Sequence, residues 1–138
     1  MKTPILRTLI AVGALAAAAA VSAETVTVSG ILRGTSHWSS TNEYVLNGYV
    51  YVAEGAVLNI EAGTVVRGKA GNAPLFGALY VTRGAKLNAM GTRLRPIIFT
   101  AEADDIADPF DIPLEAEPNG RGLWGGVVLL GNARINRP

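Results

Sequence analysis

The chain contains no cysteine and a single histidine, His37. A disulfide-stapled scaffold is therefore excluded. An ordinary Cys/His zinc site lacks its ligands, and no Ser-His-Asp arrangement has spacing that would support it. Charge of one sign is missing too: 12 Lys and Arg stand against 11 Asp and Glu, so the basic surface of a nucleic-acid binder is absent. With 138 residues there is room for about one small domain. No segment after residue 23 has a helical hydrophobic period or the apolar length of a membrane-spanning helix. Gly68-Lys69-Ala70-Gly71 and the stretch from Gly120 to Gly126 lack the spacing of a phosphate loop leading into a helix, and read as turns.

What is present begins with an export signal. Lys2 and Arg7 precede an alanine-rich apolar run from Leu9 to Val21, followed by the small-residue site Val21-Ser22-Ala23. Residues 1–23 thus read as a secretory signal peptide, with Glu24 as the new N-terminus. The run is too short and too weakly apolar for an anchor. The expected location is periplasm, outer surface or medium.

The remainder repeats itself. Residues 50–60 (VYVAEGAVLNI) and 79–89 (LYVTRGAKLNA) share Tyr, Val, Gly, Ala, Leu and Asn at an offset of 29 positions, and Val127 to Asn136 (VVLLGNARIN) is a third copy. Gly55 and Gly84 give way to Asn132 in that copy. Asn best replaces Gly in a left-handed conformation, which predicts a sharp corner with positive φ. Around the corners apolar residues alternate with period two, placing Val50, Val52, Leu58 and Ile60 inside and Tyr51, Val57 and Asn59 outside. Short strands, glycine corners and a repeat of this length predict a stacked solenoid. The expected layout is a cap with lead-in strands over 24–48, coils over 49–100, an acidic loop insertion over 101–122 and the start of a further coil over 123–138.

Several motifs carry a family resemblance. The runs GAVLNIEAGTVVRGKAG (55–71), GTRLRPIIFTAEADD (91–105) and LWGGVVLLGNARIN (123–136), with the lead-in HWSSTNEYVLNGYVYV (37–52), resemble a bacterial family of secreted right-handed parallel β-helix proteins of pectin-lyase-like architecture. The shared elements are a glycine corner, an E-x-G-T turn, a P-I-x-F-T strand and a W-G-G strand. The resemblance implies an all-β solenoid and is unspecific for activity. Because the sequence stops at Pro138 just after a coil begins, a short or truncated N-terminal fragment is expected, with end-to-end self-association as the other reading.

Two groups of residues stand out as candidate sites. Between Glu102 and Glu117 the acidic residues have no Lys or Arg among them. Asp104, Asp105, Asp108 and Asp111 are candidate calcium ligands, although the twelve-residue calcium-loop pattern is absent and a solvated, self-repelling loop is the favoured reading of the run. The rest of the domain is net basic, so the loop is expected to pair with it locally, with Arg93, Arg95 and Arg121 flanking. Stacking places Tyr51 under Tyr80, and Asn59 under Asn88 and in turn Asn136. Beside Lys86 and Arg134 these side chains form a candidate platform for a sugar ring, or simply ladders that hold the stack. Trp38 and Trp124 read as packing residues.

The acids within the repeats, Glu54 and Glu61, lie on different parts of one coil, whereas a hydrolase needs paired carboxylates. The reading therefore leans away from an enzyme. It favours a non-catalytic exported scaffold or binding module for a glycan or other cell-surface partner, with no nucleic acid. The alternatives are a fragment of a calcium-dependent, lyase-like polysaccharide enzyme and a self-assembling structural solenoid.

Overall fold

The structure is a computed structural model and describes residues 24–71, 75–108 and 122–133. The signal segment, Asp111, Arg121, Arg134 and Asn136 lie outside the described residues. Among those described there is no helix. The strands are β1 (Glu24–Leu32), β2 (Thr35–Trp38), β3 (Asn42–Val52), β4 (Val57–Ile60), β5 (Val65–Gly68), β6 (Ala78–Val81), β7 (Lys86–Ala89), β8 (Ile98–Ala101) and β9 (Gly126–Leu129).

Every pairing between them is parallel, so every connection is a crossover. The long strand β3 pairs with β1 along both its halves. Its first half then carries β5 and β8, and its second half carries β6 and β9. These are two wings of one sheet. β2, β4 and β7 form a separate sheet. The chain visits first wing, second wing and small sheet in the same order on each rung, the topology of a parallel β-helix. Residues 24–38, expected as lead-in to the coils, themselves stack as a rung: Tyr44 lies over Val26 and Leu58 over Ser36.

Alternation along each strand fills the interior. Leu46 and Val66 from the first wing, Val50, Val52 and Leu79 from the second and Leu58 from the small sheet are fully buried. Each contributes about 1.5–3 kcal/mol of hydrophobic stabilisation. Ile60 completes the inward set read from the sequence. Trp38 belongs to this core, its ring stacked 4.7 Å from that of Tyr44.

The three corners of a rung behave differently. Between second wing and small sheet the turn is tight: Ala56 N donates to Ala53 O at 2.9 Å, and Ala85 N to Thr82 O at 3.0 Å. Gly55 and Gly84 both have φ of 75°, where a Cβ would crowd the following carbonyl. The corner from small sheet to the next first wing holds the E-x-G-T turn. The corner between the two wings varies most in length. It is Ser29 on the first rung, Asn47-Gly48 on the second, residues 69–77 on the third and residues 102–125 on the fourth. The acidic insertion is the longest member of this series.

Candidate functional site

The outer surface of the second wing carries the aromatic side chains that the core does not take. Tyr49 and Tyr51 both point outward because they alternate with the buried Val50 and Val52. Register puts Tyr51 beneath Tyr80, and their rings stack with centroids 5.1 Å apart and planes 28° from parallel. Tyr49 stands edge-on to Tyr80 at 5.4 Å, to Tyr51 at 6.3 Å and to Phe76 at 5.2 Å. Below Tyr51 in the same column lies Ile31, 55% exposed, and above Tyr80 lies Val128. The rings are half-buried against one another. Among the described residues the hydroxyls of Tyr49, Tyr51 and Tyr80 make no hydrogen bond, whereas the buried Tyr44 accepts one from Ser39 N at 2.8 Å.

The asparagines lie elsewhere. Asn88 sits over Asn59 on the small sheet, and its Nδ2 donates to Asn59 Oδ1 at 2.8 Å. Lys86 stacks over Val57 in the same strands. The Gly55 corner separates this ladder from the tyrosines, so the expected aromatic and amide columns occupy two faces and do not form one platform. Tyr49 was legible in principle as the i−2 neighbour of Tyr51. Phe76 was not, because it arrives from the 69–77 segment, outside the repeat.

A polar cluster occupies the corner after the small sheet. Glu61 Oε2 accepts from Ser40 N at 2.9 Å and Ser39 Oγ at 2.9 Å, and His37 Nε2 donates to Glu61 Oε1 at 3.1 Å. These bonds, the Ser40 backbone N–H foremost and then His37 and Ser39, hold the Glu61 carboxyl at about 2, below its ordinary 4.5. Glu61 stands between His37 and Ser39, and the cluster ties the first rung to the second. Glu54 lies at the preceding corner, apart from it.

The stem of the acidic loop is held by Arg67. Its Nε donates to Glu43 Oε1 at 2.7 Å, and its Nη1 donates to the backbone carbonyls of Ala101 and Asp104. Thr100 Oγ1 donates to the Asp104 carboxylate. Asp105 Oδ1 accepts from Ala107 N at 3.0 Å, and Asp108 follows at the edge of the described segment. Among the described residues no group of three or more His, Asp or Glu is arranged to hold a metal ion. Arg95, read as flanking the loop, instead reaches the first rung, donating to Ser40 Oγ at 2.7 Å. The cation on the loop stem is Arg67, which the sequence reading did not single out.

A family model for the pectate-lyase-like β-helix domain matches residues 30–138. The chain belongs to that family. Neither the curated proteins nor the solved structures compared with it give a match. In this pectate-lyase-like β-helix domain the recurring motifs have structural work. In E-x-G-T, Glu61 binds the rung below while the buried Thr64 returns its hydroxyl to Glu61 O at 2.8 Å. In W-G-G, Trp124 lies on Gly68, where a Cβ would come within 2.5 Å of the ring, and Gly125 makes room for Phe76, whose ring a Cβ there would meet at 2.4 Å. In P-I-x-F-T, Phe99 stacks over Val66 and packs against the core.

Proposed function

We propose that this domain is a non-catalytic, exported scaffold and binding module whose second wing contacts a glycan. The observation that carries this reading is the outward cluster of Tyr49, Tyr51 and Tyr80, half-exposed rings whose hydroxyls have no partner among the described residues. Pyranose rings present apolar C–H faces ringed by hydroxyls, and a rigid aromatic surface with polar tips matches both. A signal-peptide reading of residues 1–23 supports a location where glycans are met. The stacked rungs hold the cluster rigid, so little ordering cost falls on binding.

Affinity electrophoresis against a panel of neutral and acidic polysaccharides tests the proposal. The wild-type domain is expected to be retarded by at least one of them. The triple variant Tyr49→Phe, Tyr51→Phe, Tyr80→Phe removes the hydroxyls and keeps the ring packing. It should lose most of that retardation with its melting temperature unchanged within a few degrees. Unretarded wild type across the panel, or turnover of an acidic polysaccharide with added calcium, would overturn it.

A further inference from the structure

The chain has four tyrosines, and all of them lie among the described residues. Tyr44 is buried against Trp38, and its hydroxyl is engaged by Ser39 N. The other three meet on the second wing, where only one pair is face to face. Tyr51 and Tyr80 are Cα partners on the adjacent parallel strands β3 and β6. Adjacent strands lie about 4.8 Å apart. The ring centroids keep nearly that separation, 5.1 Å, and the planes are 28° apart. The two side chains therefore follow the same course. A ring carbon ortho to one hydroxyl faces its counterpart on the other ring. Tyr49 stands at 71° to Tyr80 and at 82° to Tyr51, so in those pairs the rim of one ring meets the face of the other. Tyr51 and Tyr80 are half-exposed, and their hydroxyls have no partner among the described residues. With no cysteine in the chain, no disulfide ties one rung to the next.

We propose that Tyr51 and Tyr80 are a site of oxidative cross-linking, joined through their ortho carbons as a dityrosine that staples the second rung to the third. This chemistry does not depend on the glycan reading. The oxidant is hydrogen peroxide acting through a haem peroxidase. Each phenol gives up one electron and its hydroxyl proton, leaving a tyrosyl radical with spin density on the ortho carbons. The two radicals pair to form one C–C bond. The hydrogen on each newly bonded carbon then moves to the phenol oxygen, which restores both rings. Peroxide takes up the two electrons and two protons and leaves as two waters. Register holds the reacting carbons opposite each other, so coupling within one chain outruns coupling between chains. The link joins positions 29 residues apart, and like a disulfide it restricts the unfolded chain.

The test treats the full domain, at high dilution, with a haem peroxidase and limiting hydrogen peroxide, under conditions that couple free tyrosine. The expected product is a monomer with dityrosine fluorescence and a mass lower by two hydrogens. Digestion should release one linked peptide that joins Tyr51 to Tyr80. Tyr51→Phe and Tyr80→Phe keep the ring packing, and each should abolish the linked monomer. Tyr49→Phe should still form it. A link mapped to Tyr49, a Tyr49→Phe variant that loses the link, covalent dimers in place of linked monomer, or a domain left uncoupled would each overturn the proposal.

Discussion

Glu61 shows how one side chain can join two rungs. It accepts hydrogen bonds from three residues of the rung below, and those bonds are strongest while the carboxylate is ionised. Its folded value of about 2 lies below the ordinary 4.5. The stabilisation is therefore complete above about pH 4.5 and is lost as pH falls towards 2. Melting curves from pH 6 to pH 2 should show the wild type losing stability over that window. Glu61→Gln should start lower at pH 6 and converge on the wild type in acid; two curves that stay parallel would mean that another group carries the linkage. The neighbouring Gly63 and Thr64 belong to the same device, since Arg95 lies against Gly63 on its way to Ser40.

At the scale of elements, the outer face of the first wing is covered at Val45 and Arg67. Val45 points away from the core-facing Tyr44 and Leu46, yet it is only 6% exposed. Arg67 stacks directly on Val45 with its side chain 11% exposed. It bonds the loop stem through carbonyl oxygens, which a methionine of similar length cannot do. Arg67→Met should keep the packing of the arginine stem and lose the charge-assisted bonds, worth roughly 1.5–3 kcal/mol each at most. Limited proteolysis should then cut between residues 102 and 121 several-fold faster, with the strands intact; unchanged cleavage would show that the stem is held by other contacts. The strands, their inward residues and the Gly55 and Gly84 corners were legible because alternation and repetition act locally. Arg67 was not, since its partners are Glu43 and two backbone carbonyls, 24, 34 and 37 positions away. The tyrosine and asparagine columns were each legible by register. Their separation onto two faces was not, because a one-dimensional repeat does not say where a rung bends.

For the molecule as a whole, each strand pairs only with strands of the neighbouring rungs, so stability is close to a sum of local and nearest-neighbour terms. β3 and β4 have paired strands on both sides, as do β5 and β6. β1 and β2 have one described neighbour each, β3 and β4. Amide exchange should therefore be slowest in β3 to β6 and faster in β1 and β2. Uniform protection across all rungs would instead indicate a single cooperative unit.

The corner between the wings has a consequence of a different kind. From Ser29 to residues 102–125 its length changes freely, while the parallel pairing on either side resumes in step. Closing a longer loop is entropically cheap, about 0.6 kcal/mol for each doubling of length. Foreign peptides grafted at this corner on any rung would be displayed along one edge of the molecule, at a spacing set by the strand ladder and independent of their own lengths.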